Sequence, residues 1–476
     1  MVAFSKPTLV EYTCYELGHC WTPSCRQASF DVFKDVFREA LKIYGSLYFI
    51  AGLLRRRGKA YFRKKFWLEL LQSTCFLTVN GTLFIACFCI WRKLVGSFKY
   101  VSTISFLPAL TASFIAIIQE RKSRRGLLAV YMANIATETV WRMLKERGMV
   151  RSIHNGEVLL FSVASAVYLY YFKKAALPDG TMSVFKKIFG SEECLSVKEA
   201  NGNTSNDDRH LKSSSNSEAS VITNQKKPYT PVIQWLTNEK QPFIPVIHLL
   251  KKFQLWLQNF PKHTLCCHNH SCISHTLQGS IRMFTIGYSI QAVIKLISSL
   301  TYIMKRPRTV INALTHKNNR EFGAFLATLV GLFRGINCIL RRIRNKDDAI
   351  HGAVAGFCAG WSMLFYKSQT IALYTASKLV EMIYFKGIEK GSLPYFRNAD
   401  IILYSLSTAI VFHAAVLEPH SLRPAYWKFL LRVTGNKFAN MNRRLLDPFV
   451  PNCSKLYPDY WPDYDMRYTN LVKPTS

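Results

Sequence analysis

The chain has 476 residues, 49% hydrophobic, 13% aromatic and only 19% charged, and its apolar residues gather into long uncharged blocks. Such blocks exclude the two or three soluble domains that this length would otherwise suggest, and they belong in lipid. The formal charge is +33, with 62 Lys and Arg against 29 Asp and Glu. The excess lies mainly between the apolar blocks, as membrane-flanking basic residues do, so nucleic-acid binding is not expected.

Residues 1–36 form an N-terminal segment containing cysteines. No charged region followed by an apolar one occurs over 1–25, so no cleavable secretory signal is expected, and the final Lys-Pro-Thr-Ser is not a Ser-Lys-Leu address. Sorting is expected to use internal membrane segments. A bilayer core needs about 20 apolar residues per helix. Uncharged blocks lie at 70–91, 100–119, 158–172, 349–366 and 401–417, and blocks with one or two charges at 39–54, 126–141, 283–304, 322–340 and 369–385. The expectation is an all-α polytopic membrane protein of about ten transmembrane helices.

The domains read from this pattern are a five-helix membrane unit over 37–172, a polar linker over 173–262, a second unit over 263–420 and a C-terminal tail over 421–476. The linker is rich in Asn, Ser, Lys and Glu and is predicted to be largely disordered, ending in a short amphipathic piece at 244–260. Many of the thirteen cysteines, among them Cys75, Cys87, Cys89 and Cys358, lie inside apolar blocks and read as small hydrophobes of a mostly reduced protein.

The two membrane halves repeat one another. An offset of 243 pairs Glu138 with Glu381, Tyr131 with Tyr374, Ala133 with Ala376, Gly148 with Gly391 and Asn155 with Asn398. At 249, Cys89-Ile-Trp-Arg-Lys meets Cys338-Ile-Leu-Arg-Arg, and at 247 Cys20 and Cys25 meet Cys267 and Cys272. Their common order implies duplication of a five-helix unit, and an odd span count makes the repeats inverted. The basic residues of 55–65 and of 121–125 place those loops on the cytosolic side.

Several positions are candidates for a role. Gly352, Gly356 and Gly360 lie four apart on one helical face, and Gly331 and Gly335 repeat the pattern one helix earlier, so other helices can approach to backbone contact there. Asp347 and Asp348 sit beside Arg341, Arg342 and Arg344, where opposite charges neutralise one another and an acid caps the next helix. Arg341, Arg344, Lys346, Asp347 and Asp348, followed by this glycine-rich helix, resemble the signature of the Tim family of mitochondrial import translocases and related peroxisomal membrane proteins, although His351 stands near where that family often has Asn.

A wider resemblance spans residues 11 to 445. Cys14-Tyr-Glu-Leu-Gly-His, Glu120-Arg-Lys-Ser-Arg-Arg-Gly-Leu-Leu, Tyr131-Met-Ala-Asn, Asn155-Gly-Glu-Val-Leu-Leu-Phe, Ala376-Ser-Lys-Leu-Val-Glu and Tyr426-Trp-Lys-Phe-Leu-Leu-Arg resemble the transmembrane protein 135 family. That resemblance implies a multi-pass protein of peroxisomal and mitochondrial membranes, linked to mitochondrial fission balance and lipid handling, and supplies no catalytic residues.

Two cysteine and histidine boxes precede the repeats. His19, Cys20 and Cys25, with Cys14 nearby, form the first; Cys266, Cys267, His268, His270 and Cys272, flanked by His263 and His275, form the second. Thiolate with imidazole at this density suits zinc, while acylated or simply reduced thiols are the other reading; no other cofactor is expected. Glu138 and Glu381 fall at equivalent places in candidate spans, either lining a polar cavity or pairing locally, as Glu138 with Arg142 and Lys378 with Glu381. Asn155 and Asn398 read as helix N-caps, and His413 as a packed core histidine. No nucleophile elbow, phosphate loop, HExxH or dinucleotide glycine pattern occurs. The expected function is therefore non-enzymatic, in organelle dynamics and lipid homeostasis, with a lipid or peptide transporter as the alternative. Expected partners are membrane lipids and organelle-dynamics proteins, with a homo-oligomer left open.

Overall fold

The computed structural model describes residues 10–97, 101–151, 153–194, 256, 260–266, 268, 271–299, 306 and 308–472. Every regular element among them is helical. In chain order the helices are α1 (Cys14–Leu17), α2 (Cys25–Leu54), α3 (Phe66–Val95, entered through a π turn at Tyr61–Lys65), α4 (Val101–Ile104), α5 (Phe106–Gln119), α6 (Lys122–Glu146), α7 (Gly156–Lys173) and α8 (Asp179–Phe189). They continue with α9 (Cys272–Ser298), α10 (Thr309–Leu314), α11 (Lys317–Arg344), α12 (Ala349–Gly360), α13 (Gln369–Glu389), α14 (Ala399–Leu417) and α15 (Pro424–Val433).

Local chemistry sets many of these limits. Thr13 and Glu16 close a capping box on α1, the Ser24 hydroxyl accepts from Gln27 N to start α2, and Asp348 accepts from Ile350 N to start α12. Gly96, at φ +76°, ends α3 in the left-handed region that glycine enters freely. Asn155 and Asn398 stand at N-cap positions of α7 and α14, yet neither side chain caps; both backbones are left-handed, a conformation Asn tolerates. The Asn155 carboxamide oxygen instead accepts from Lys367 Nζ at 2.7 Å.

Three stretches among the described residues, Tyr61–Val95, Thr309–Arg344 and Ala399–Leu417, are long and apolar enough to cross a membrane, and Phe106–Gln119 and Ala349–Leu364 are shorter apolar helices. That is fewer than the ten spans expected from the sequence. The difference is largely one of length and polarity: the block at 100–119 is broken into α4 and the 14-residue α5, and α6 and α9 carry charged residues, among them Arg125, Arg142, Arg282 and Lys295.

The helices sort into two compact units, 1–154 with 381–476, and 155–380. In the first, α2 packs on α3, α3 on α5, and α14 on both α5 and α6. Its core joins Val36, Phe84, Phe88, Ile117, Phe412 and Trp427. The C-terminal segment, read as a tail, folds into that core through Tyr426, Leu430, Phe438, Met441 and Leu446. Buried Arg443 donates to the carbonyls of Val416 at 2.9 Å, Ala415 at 3.0 Å and Phe438 at 2.6 Å, closing the C-terminus of α14 with a cation.

In the second unit α9 packs on α11, α11 on α12 and α12 on α7. The units therefore do not follow the 37–172 and 263–420 limits: α7, from the first half of the chain, packs with helices of the second half, and α14 packs with helices of the first. Residues 179–194, inside the stretch read as a linker, form α8 and a 3-10 turn, with Phe189 against Phe333 at 4.8 Å between ring centroids. Residues 195–255 and 257–259, and so most of the 244–260 piece, lie outside the described residues.

Candidate metal centres and buried charge networks

The first cluster forms where α1, the loop after it, the start of α2 and α3 meet. The donor atoms of Cys14, His19, Cys25 and Cys89 all lie within 4.8 Å of one another. The Cys14 and Cys25 sulfurs are 3.5 Å apart. His19 is fully buried; its Nδ1 is 2.8 Å from the Thr22 carbonyl oxygen, and its Nε2 is buried with no hydrogen-bond partner. The Cys89 thiol beside it holds the Cys14 thiol far below the ordinary range, at about 4, with burial opposing and His19 assisting. Cys20 stays outside: its thiol donates to the Glu16 carbonyl at 3.3 Å and touches the Tyr464 hydroxyl at 3.7 Å, and burial pushes it up to about 11.

The second cluster joins Cys266, His268, Cys272 at the start of α9 and Cys338 on α11, again within 4.8 Å. The Cys272 and Cys266 sulfurs are 3.8 Å apart, and Cys338 Sγ is 3.6 Å from His268 Nε2. The His268 ring stacks on His275 at 4.4 Å between centroids. Cys338 holds the Cys266 thiol down to about 3, against burial. Cys267 and His270 lie outside the described residues. Sequence density found the ligands near each box but missed Cys89 and Cys338 as members; the signal that could have found them is their pairing at an offset of 249.

A buried ion network occupies the second unit. Arg341 donates from Nη2 to Glu193 at 2.9 Å and lies 3.1 Å from Asp347 through Nε. Asp347 also pairs with Lys173, whose ammonium is fully buried and reaches the Asp348 carbonyl at 3.2 Å. His275 Nε2 is 3.4 Å from the second Glu193 oxygen, and Arg334 donates to the Phe189 and His275 carbonyls. Two residues of the Tim-like signature, Arg341 and Asp347, thus lie in this network. Asp348 caps α12, Arg344 Nη1 is 3.4 Å from His351 Nε2, and Lys346 is exposed. Lys173 and Glu193 were not among the sequence candidates, since they fall at the edge of, or inside, a stretch read as linker; His275 was named only as a flank of the second cysteine and histidine box.

The glycines of α12 face the backbone of α7. A Cβ at Gly352 would lie 2.5 Å from the Leu169 carbonyl oxygen, one at Gly356 2.7 Å from that of Ser165, and one at Gly360 would overlap Ser162 Cα. On α11, a Cβ at Gly331 would overlap the Ser280 hydroxyl of α9, whereas one at Gly335 would rest 3.7 Å from Thr276.

In the first unit Glu138 is buried on α6 and accepts from Arg142 Nη2 at 2.6 Å and from Arg423 Nε at 2.8 Å. Arg142 also donates to the Leu422 carbonyl at 3.1 Å, so the carboxylate ties α6 to the start of α15. Glu381 lies on α13, partly buried.

These features define an all-helical protein with membrane-crossing helices, carrying one Cys3His cluster in each compact unit. Residues 11–145 match the N-terminal cysteine-rich region of Transmembrane protein 135, and residues 272–380 match the Tim17/Tim22/Tim23/Pmp24 family. The chain thus joins a Transmembrane protein 135 cysteine-rich region to a Tim17-family domain, a combination that supports an organellar multi-pass membrane protein. The first match contains the whole first cluster, and the second contains Cys272, Cys338 and the signature from Arg341 to Asp348. No solved structure matches the chain.

Proposed function

We propose that this chain is a non-enzymatic protein of mitochondrial and peroxisomal membranes that sets the balance of mitochondrial fission and fusion and supports peroxisome function and lipid homeostasis. The observation that carries the reading is the presence in one chain of the Transmembrane protein 135 cysteine-rich region and a Tim17-family domain. Its reactive groups are engaged with one another, thiols with imidazole and guanidinium with carboxylate, as suits a scaffold. Membrane lipids and organelle-dynamics proteins are the partners this role requires.

The ten-helix, two-repeat arrangement is part of the same proposal, and the backbone supports it. At the offset of 243, Gly148 and Gly391 have φ of +68° and +70°, and Asn155 and Asn398 have +55° and +61°. The turn bonds match as well: Gly148 N to Lys145 O and Gly391 N to Ile388 O, then Met149 N to Leu144 O and Ser392 N to Gly387 O.

The alternative, a translocation pathway for lipid or peptide, is favoured by a cleft of about 470 Å³ in the second unit, walled by Phe260, Ile273, Leu277 and Ile339 with Arg342 on its lining. Cells lacking the chain separate the two. The first reading expects altered mitochondrial morphology restored by the full-length protein and no substrate flux in vesicles reconstituted with it. An unaltered network in those cells overturns it, and flux without a change in morphology favours the alternative.

A further inference from the structure

We propose that each compact unit is closed by one structural zinc ion, held by Cys14, His19, Cys25 and Cys89 in the first and by Cys266, His268, Cys272 and Cys338 in the second. The donor set is three sulfurs and one imidazole at both places, one of the ordinary ligand sets of structural zinc. With Zn–S bonds of about 2.3 Å and Zn–N of about 2.0 Å, a tetrahedron has S···S edges of about 3.8 Å and S···N edges of about 3.5 Å. The separations found are 3.5 Å for Cys14 and Cys25, 3.8 Å for Cys266 and Cys272, and 3.6 Å for Cys338 and His268.

Other uses of the thiols fit less well. A disulfide needs sulfurs about 2.05 Å apart, and all six ligand cysteines are unbridged. A two-iron cluster divides its ligands between two metals and spreads them, whereas here all four donors fall within 4.8 Å. An acylated thiol must reach the bilayer, but Cys266 and Cys338 are buried.

An independent observation comes from His19. The imidazole has one nitrogen at hydrogen-bond distance from a backbone carbonyl, at Thr22, which assigns the proton to Nδ1 and leaves the Nε2 lone pair free. That Nε2 is buried without a partner among three cysteines. An orphaned buried acceptor is costly, and a cation at this point satisfies it.

The placement also explains what the ion does. In both units the first residue of one long helix, Cys25 of α2 or Cys272 of α9, is joined to a late turn of the next long helix, through Cys89 of α3 or Cys338 of α11. Those ligands are related by the offsets of 247 and 249, so the two centres occupy equivalent places in the duplicated sequence. Each cysteine binds as its thiolate, so binding releases whatever thiol protons the cluster still holds and involves no redox change; the ion clamps a pair of helices.

Elemental analysis of the full-length chain, purified reduced in detergent without chelator, tests the inference. The expected content is two zinc per chain, falling to one in Cys89→Ser and to one in Cys338→Ser, and staying at two in Cys20→Ser. Because a ligand variant can lose its fold, wild-type protein exchanged with cobalt(II) supplies a second reading, the thiolate charge-transfer and d–d absorption of tetrahedral Cys3His sites. Less than one zinc per wild-type chain, both as purified and after incubation with zinc, overturns the proposal. Zinc that survives both cysteine variants marks an adventitious ion only, and a single zinc lost in one variant alone overturns the pairing.

Discussion

Arg341 and Glu193 form an ion pair at 2.9 Å in which each side chain is 1% exposed. Neither charge has water to return to, so each depends on the other, and Arg341 also meets Asp347. Arg341→Met leaves two carboxylates short of a cation, and removing one partner of a buried pair costs about 3 to 5 kcal/mol. The variant should melt at a markedly lower temperature in detergent, while Lys346→Met, at an exposed position of the same signature, should melt like the wild type. Equal melting of both variants would place the network outside the stabilising core.

The same carboxylates set an acid limit. Burial alone would raise Glu193, but the adjacent His275 imidazole and the Arg341 charge hold it below its ordinary value; Lys173 and Arg341 do the same for Asp347 against its own burial. A carboxyl depressed in the fold contributes stability that is fully present above its unfolded value, about 4, and is lost as pH falls through the folded value. The gap in melting temperature between wild type and Arg341→Met should therefore hold steady from pH 7 to about pH 5 and narrow below about pH 4. A gap independent of pH would mean that these carboxylates do not titrate with unfolding.

The long apolar blocks were legible because lipid admits no unpaired charge, and 70–91 and 401–417 lie inside helices long enough to cross. The helix over 309–344 was only partly visible. Its second half carries Arg334, Asn337 and Arg341, all buried in the unit, and polar residues facing an interior look the same in sequence as residues facing water. Helix α8 was hidden for a different reason: Phe189 anchors it on Phe333, but its neighbours average out as linker. Cys89 read as a small hydrophobe, and Cys338 only as its match in the repeat, because their ligand role depends on which helix lies beside them. The placing of α7 beside α12 rests on the fit of small residues, which follows surface shape and not chain order.

Those small residues support a second substitution test. Gly356→Ala puts a Cβ 2.7 Å from the Ser165 carbonyl oxygen, in backbone that cannot swing aside, whereas Gly335→Ala places one 3.7 Å from the Thr276 methyl, an ordinary contact. Overpacking of this kind costs about 1 to 3 kcal/mol. The expected outcome is a lower folded yield and melting temperature for Gly356→Ala and wild-type behaviour for Gly335→Ala. If the two variants behave alike, α7 and α12 do not touch through backbone in the folded protein.

Glu138 offers the sharpest division between a structural and a transport role. Its carboxylate accepts from Arg142 and Arg423, and Arg142 continues to the Leu422 carbonyl, so the charge holds α15 onto α6. Gln keeps the shape but has one acceptor oxygen and no charge, leaving one guanidinium without its partner. Hydrogen bonds to charged groups are worth about 1.5 to 3 kcal/mol, and the variant should be destabilised by that order. Rescue of mitochondrial morphology by Glu138→Gln should then follow the amount of folded protein and reach wild type once expression is matched for fold. A variant that melts like the wild type and still fails to rescue would transfer Glu138 from the scaffold to a polar pathway, and Glu381→Gln, 243 residues further on in the proposed repeat, should then fail in the same way.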